Sequence, residues 1–185
     1  NSKLIFFSSR EVYGNPKYLP VDEKHPINPL NIYSRTKYEA EQVIQTILEN
    51  YIIIRLSNVY GKGDSSRKFI MRIFEKAKRN ETIEVFDPYK LLDFIHINDV
   101  CYAVSRSIKT YYRPIKEIFN IGSGRGVSIL YITELIKAIS NSNSRIIIGK
   151  TQSLDPQQYI SDNNKAKNYL LFTPKIQIEE GLKLI

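Results

Sequence analysis

Cysteine is almost absent from this chain. Cys101 is the only one in 185 residues, so no disulfide can close within it. A lone thiol suits a reducing compartment, and the expectation is a cytoplasmic protein. No apolar run approaches the length of a membrane span, and the first residues lack a signal-peptide pattern. The longest apolar candidates, "KLIFF" and "YIIIRL", are strand-length. No group of histidine, cysteine and carboxylate has metal-ligand spacing, so no metal is expected. Internal repeats and low-complexity linkers are missing too. A further absence concerns glycine. The chain reaches a core-type strand almost at once, with no glycine-rich strand, turn and helix ahead of it.

What is present fits one domain with a real core. Hydrophobic residues make up 42% and charged residues 25%, which is ordinary for a globular protein. The net charge of +8 could attract nucleic acid, an acidic membrane surface or a phosphorylated small molecule. Its lysines and arginines are scattered, however. The densest stretch, "SSRKFIMRIFEKAKRNE", places Phe69, Ile70, Ile73, Phe74 and Ala77 on one face. Its charges therefore read as the solvated side of a helix, and neither nucleic acid nor membrane is expected as a partner.

Short β-rich runs alternate with amphipathic helices. "KLIFFS", "YIIIRLS", "TIEVF", "EIFNIG" and "RIIIG" read as strands. Helices are expected after residue 31, over 67–79, after a cap at Asn98 or Asp99, and from a cap at Ser128 to about Ile139. Two short helices close the chain. Continuous apolar strands separated by helices imply a parallel sheet buried on both faces. The glycine cluster "GSGRG" at 122–126 lies between a strand and a helix. Its third glycine falls one position early for a dinucleotide fingerprint, so it reads as a structural turn.

Tyrosine followed four positions later by lysine occurs three times. Tyr13 and Lys17 are separated by Gly14, Asn15 and Pro16, a turn signature. Tyr112 and Lys116 are separated by Pro114, a helix breaker. Only Tyr33 and Lys37, within "NIYSRTKYEAEQ", are joined by breaker-free chain. Apolar residues recur after them at helical steps (Ala40, Val43, Ile44, Ile47, Leu48). The phenol and ammonium then share one helix face. A nearby cation favours the phenolate, which suits acid/base chemistry. The spacing alone leaves open a surface tyrosine beside a solvated lysine.

The first strand runs into two serines and a turn, "FFSSREVYGN". Hydroxyls at that point stand at the carboxyl edge of a sheet, where open α/β sheets bind ligands. "SSREVYG", "NPLNIYSRTKYEAE", "RLSNVYGKGD", "LLDFIHINDV", "FNIGSGRGVSI" and the C-terminal "SDNNKAKNYLLFTPKIQIEEGLKLI" follow one another in an order and spacing that resemble the extended short-chain dehydrogenase/reductase family. These are NAD-dependent nucleotide-sugar epimerases and dehydratases, working as homodimers in the complete protein. The resemblance implies a partial Rossmann-type, doubly wound parallel sheet plus a smaller substrate-binding α/β part. Residues 1–60 would hold the remaining half of the Rossmann sheet with the catalytic residues. Residues 61–185 would be mostly substrate-binding and pack with them as one unit. It also implies a glycine-rich dinucleotide-binding unit ahead of this chain, and these residues alone would then be inactive.

By the same resemblance, Ser9, Tyr33 and Lys37 would be catalytic and would also contact NAD. Tyr33 would exchange a proton with a sugar hydroxyl, Lys37 would bind the nicotinamide ribose, and Ser9 would hold the reacting oxygen. Ser57 would lie beside the nicotinamide. Asn58, Glu11 and Lys90 would face the nucleotide sugar, Asn58 on its phosphate side. The departures matter as well. Dehydratases of this kind carry Asp-Glu where this chain has Arg10-Glu11, and related decarboxylases carry Ser-Glu. The acid that would protonate a leaving hydroxyl is therefore missing, and Glu11 reads as structural or substrate-orienting rather than as a base. The two arginines that usually hold the diphosphate are replaced by Leu92 and Gln152, with Lys90 and Lys150 nearby as point charges. A UDP-sugar 4-epimerase needs no Asp-Glu pair and is the simplest fit. A 4,6-dehydratase, a decarboxylase or a non-catalytic binding module are the rivals. His96 is expected to be a satisfied core histidine and His25 a loop residue.

Overall fold

The structure is a computed structural model that describes residues 2–65, 67–110, 115–149 and 158–185. In chain order it contains β1 (Leu4–Ser9), a 3-10 turn (Arg10–Tyr13), α1 (Ile32–Ile47), β2 (Tyr51–Leu56), β3 (Asn58–Tyr60), α2 (Phe69–Lys78), β4 (Ile83–Val85) and β5 (Leu91–His96). There follow α3 (Ile97–Thr110), β6 (Lys116–Ile121), β7 (Gly126–Ser128), α4 (Ile129–Ile139), β8 (Ile146–Ile148), β9 (Gln158–Tyr159), α5 (Asn164–Leu170), α6 (Ile178–Gly181) and a closing 3-10 turn (Leu182–Leu184).

The apolar run "YIIIRL" is buried along Tyr51–Arg55 because β2 is the middle strand of a parallel sheet, β1-β2-β6. Its side chains alternate between two covers, as a pleated strand requires. Ile52 and Ile54 pack with Phe119 and Ile121 against α3 and α5, through Val100, Ala103, Ala166 and Leu170. Tyr51 and Ile53 pack instead on Ile44 of α1, beside Phe6 and Leu48. Each such fully buried isoleucine contributes roughly 1.5–3 kcal/mol. The sheet is thus wound on both sides, in the Rossmann manner. β6, from well beyond residue 60, is its third strand.

The chain leaves this sheet at Ser57 and enters a second one. β5 carries three neighbours in short pieces. Phe94–His96 pairs in parallel with β3, while Leu91–Asp93 pairs with antiparallel β7 and parallel β9. β4 and β8 form a separate parallel pair. The helix expected over 67–79 is α2, with Ile70, Ile73, Phe74 and Ala77 buried as its pattern requires. Ser128 caps α4, its hydroxyl accepting the Tyr131 amide. Tyr13 ends the 3-10 turn, and Gly14 follows at φ +63°, where a Cβ would stand 2.0 Å from the Asn28 carbonyl oxygen. Only glycine fits there.

Two expectations need correction. Asn98 and Asp99 do not precede a helix, because α3 starts at Ile97, directly off β5. Asp99 is buried and accepts the Lys175 and Ile176 amides at 2.9–3.1 Å, fastening the C-terminal segment. His25 lies in a loop as expected, buried there with its Nε2 accepting the Lys17 amide at 2.8 Å and its Nδ1 on the Pro26 carbonyl at 2.9 Å. His96 is buried but only half satisfied. Its Nδ1 accepts the Asn98 amide, while Nε2 has no hydrogen-bond partner among the described residues, and burial lowers its pKa. Tyr112, Pro114, Lys150 and Gln152 lie outside the described residues.

The "GSGRG" turn owes its shape to a carboxylate. Asp93, fully buried, accepts from the Ser123 amide and hydroxyl at 2.7 Å each, the Gly124 amide at 2.9 Å and the Ser161 amide at 3.1 Å. Burial pushes its pKa up and these donors pull against that. Gly124 reaches Asp93 at φ +75°, and a Cβ on Gly122 would come within 2.6 Å of the carboxylate. We expect Asp93→Asn to lower the unfolding free energy by about 3 kcal/mol, since one amide N–H would then face another N–H. Urea denaturation checks this, and a loss below about 1 kcal/mol contradicts it.

Candidate active site

A cleft of about 410 Å³ opens at the carboxyl ends of β1 and β2. That volume suits a small-molecule ligand, and the place is where parallel sheets bind them. Ser8, Ser9, Arg10 and Glu11 form one wall, Tyr33 a second, Ser57–Tyr60 with Phe94 the floor, and Asp64 with Lys68–Ile70 the far side.

Each wall is held by local chemistry. Ser9 ends β1, is buried, and its hydroxyl accepts the Glu11 amide at 3.2 Å, which starts the 3-10 turn. Tyr33 stands in the first turn of α1 because Asn31 caps that helix. The Asn31 carboxamide oxygen accepts the Ser34 amide at 2.8 Å, and the Ser34 hydroxyl accepts the Asn31 amide at 3.2 Å. The remaining Asn31 donor goes to the Glu11 carboxylate at 3.0 Å. Glu11 thus ties the serine wall to the tyrosine wall. The Tyr33 ring is half exposed, within reach of a ligand in the cleft.

Lys37 follows Tyr33 by one helical turn but is not a lining residue. Its ammonium stands 5.9 Å from the Tyr33 ring centre, donates to the Phe7 carbonyl at 2.8 Å and lies over Phe6. Ser57 and Asn58 are both pinned to the backbone carbonyl of Asp93, Asn58 at 2.8 Å. Lys90 does not line the cleft. It sits in the turn before β5, where its amide donates to the Asp87 carbonyl. Leu92, at the position of one family arginine, is a buried core residue.

Sequence reasoning missed several lining groups. Arg10 read as a mere departure from a motif, yet it is buried at the cleft, its Nε donating to Asn58 Oδ1 at 3.3 Å and its guanidinium lying over the Tyr159 ring. Lys68, paired with Asp64 at 3.1 Å, read as one of many solvated charges. Ser8 drew no separate attention. Its hydroxyl is buried in the cleft wall without a hydrogen-bond partner among the described residues. A buried hydroxyl of that kind is costly unless something else completes it.

The sequence profile of the NAD dependent epimerase/dehydratase family matches residues 1–122. The chain belongs to that family. It is 34% identical, over 99% of its length, to a Methanocaldococcus jannaschii protein provisionally named a UDP-glucose 4-epimerase, and it covers 61% of that relative. It is 27% identical to the UDP-glucose 4-epimerase of Lactobacillus helveticus, covering 59% of it. Among solved structures it is similar to the Thermotoga maritima UDP-glucose 4-epimerase with UDP-glucose, at 29% identity and a TM-score of 0.92 over 98% of this chain and 61% of that one. It is also similar to the Bacillus cereus UDP-glucuronic acid 4-epimerase in complex with UDP-glucuronic acid and NAD, at 26% identity and a TM-score of 0.90 over 99% and 60%. The chain thus spans about three fifths of the length of the relatives it matches. No helix among the described residues is long and apolar enough to cross a membrane.

One piece of dinucleotide chemistry is not offered by the described residues. In the 122–126 turn the Ser123 and Gly124 amides are aimed at Asp93 and the Gly122 amide at Asn163, so that turn does not cradle a pyrophosphate. We therefore expect calorimetry of the 185-residue chain to detect no micromolar NAD binding. Micromolar affinity contradicts this.

Proposed function

We propose that this chain carries the acid/base machinery of an NAD-dependent nucleotide-sugar 4-epimerase acting on a UDP-sugar. One observation carries the reading: Ser9 and Tyr33 line a single cleft at the carboxyl edge of a parallel sheet, with Lys37 one helical turn behind Tyr33. The orphaned Ser8 hydroxyl in the same wall, and the half-exposed Tyr33, fit a site that a cofactor and a sugar complete. Bound there, NAD would supply the acceptor that takes a carbon-bound hydrogen as hydride and later gives it back.

The residues divide the work. Ser9 holds the C4 hydroxyl oxygen of the sugar. Tyr33 takes the hydroxyl proton as the C4 hydrogen leaves, so a secondary alcohol becomes a ketone with proton and hydride both accounted for. The Lys37 ammonium, 5.9 Å from the Tyr33 ring centre, places a cation beside the phenol that carries the proton. After the sugar presents its other face, the same proton returns from Tyr33 as the hydride comes back, and C4 is inverted. Asn58, on the floor of the cleft, would orient the substrate, and Ser57 beside it would help hold the nicotinamide. Lys37, which donates to the Phe7 carbonyl, would hold the ribose of bound NAD. The charged lining is mixed, Arg10 and Lys68 with Glu11 and Asp64, and Lys68 is paired with Asp64; the Arg10 guanidinium, beside Asn58 on the floor, favours an anionic group such as a diphosphate. The exposed apolar residues Ile32, Val43 and Ile47 along α1 support the homodimer expected of the complete protein.

Two features favour epimerisation over 4,6-dehydration. Dehydration needs an acid to protonate the departing hydroxyl, and Arg10 keeps its proton at any ordinary pH. Glu11, the remaining carboxylate, accepts from Asn31 and serves the helix cap. Incubating the whole protein with NAD and UDP-glucose or UDP-glucuronic acid, with products read by NMR, tests the assignment. Inversion at C4 is expected, and a 4-keto-6-deoxy product or no product contradicts it. Tyr33→Phe should slow turnover at least about a hundredfold while leaving the thermal midpoint nearly unchanged, because only one exposed hydroxyl is lost. A phenylalanine variant as fast as the parent overturns the role given to Tyr33.

A further inference from the structure

Among the described residues, one ion pair has both partners buried. Glu41 of α1 receives Arg55 of β2 through Nε at 3.1 and 3.2 Å and Nη2 at 2.6 Å, with side-chain exposures of 0% and 4%. Arg55 Nη1 donates to the Tyr13 hydroxyl at 2.9 Å, and that hydroxyl donates to Asn120 Oδ1 at 2.7 Å. Asn120 in turn donates to the Val21 carbonyl at 2.9 Å. A continuous polar chain thus runs from α1 through β2 and the 3-10 turn to β6.

Its place on α1 is informative. Tyr33, Lys37 and Glu41 occupy successive turns of one face. Tyr13 ends the 3-10 turn that begins directly after Ser9. The pair therefore joins the helix carrying Tyr33 to the turn carrying Ser9. The apolar contacts beside it, Ile44 on Tyr51 and Ile53, are non-directional and tolerate a helix that slides or rolls. A bidentate ion pair does not. Stability alone does not call for it, because apolar residues of similar volume serve a core as well or better. Placement does, since an error of about 1 Å in a reacting group can cost on the order of a hundredfold in rate.

We propose that Glu41 and Arg55 are positioning residues, setting the depth and rotation of α1 so that the Tyr33 hydroxyl meets the oxygen held by Ser9. This rests on the acid/base reading of Tyr33. The test is the double variant Glu41→Leu/Arg55→Met in the whole protein, which removes both charges and leaves neither stranded. Glu41→Gln, which keeps the shape, takes its place should the double variant not fold. Residue 33 is labelled as 3-fluorotyrosine, so its titration midpoint is read without turnover. The expected result is a displaced fluorine midpoint and a kcat about tenfold lower or more, with KM within about twofold. Lys116→Ala, which breaks the exposed pair with Glu49, should change neither. A folded variant with the parent's fluorine midpoint overturns the proposal, since a merely structural pair would leave Tyr33 where it is. If Tyr33→Phe matches the parent in rate, the acid/base reading fails by itself, and the fluorine midpoint still decides whether the pair places residue 33.

Discussion

The Asp93 carboxylate lies behind the cleft floor, out of water, and the site is arranged around satisfying it. A buried carboxylate is tolerable only when donors surround it. Ser123, Gly124 and Ser161 provide them, so the turn after β6 and the segment after β9 are drawn onto β5. The backbone carbonyl of the same residue accepts from Ser57 and Asn58. One residue therefore shapes the structural turn with its side chain and fixes two cleft residues with its backbone. It works at the point where β5 changes partners, from β7 and β9 to β3.

The Tyr33 wall is built by a different route. Asn31 caps α1 and is tied to Glu11, while Glu41 and Arg55 fix the helix farther along. Both ties end in the short 3-10 turn after Ser9. The Ser9 wall and the Tyr33 wall are thereby fastened to each other at two points flanking Tyr33 and Lys37. The cap tie is exposed and worth little by itself, whereas the ion pair is dry and directional.

Much of this was legible in the sequence. β1, β2, β6 and α1 announced themselves because apolar periodicity and breakers are local signals. Ser9 and Tyr33 stood out because strand ends and helix starts can be placed from such signals, whereas Ser57 came only from the family resemblance. Other features were not legible, for physical reasons. β3, β7 and β9 are two or three residues long and exist only through pairing with β5, which no local pattern encodes. Glu39 and Glu41 look alike in the sequence, yet one is exposed and the other is fully buried against an arginine fourteen residues away. Asp99 looked like a helix cap because caps favour aspartate, but the amides it accepts come from residues 175 and 176. Arg10 and Lys68 carry nothing in their neighbourhoods to separate them from solvated cations, and only the fold brings them to the cleft.

The central claim is that a sugar bound in this cleft is oxidised at one carbon and reduced again at that same carbon, with Tyr33 carrying the proton. The most direct test uses UDP-glucose bearing deuterium at C4, turned over by the whole protein with NAD in ordinary water and followed by NMR. The account predicts that the inverted product keeps its deuterium at C4, because that hydrogen travels as hydride and never meets solvent. Loss of the label to water, or a product with the label at another carbon, contradicts it.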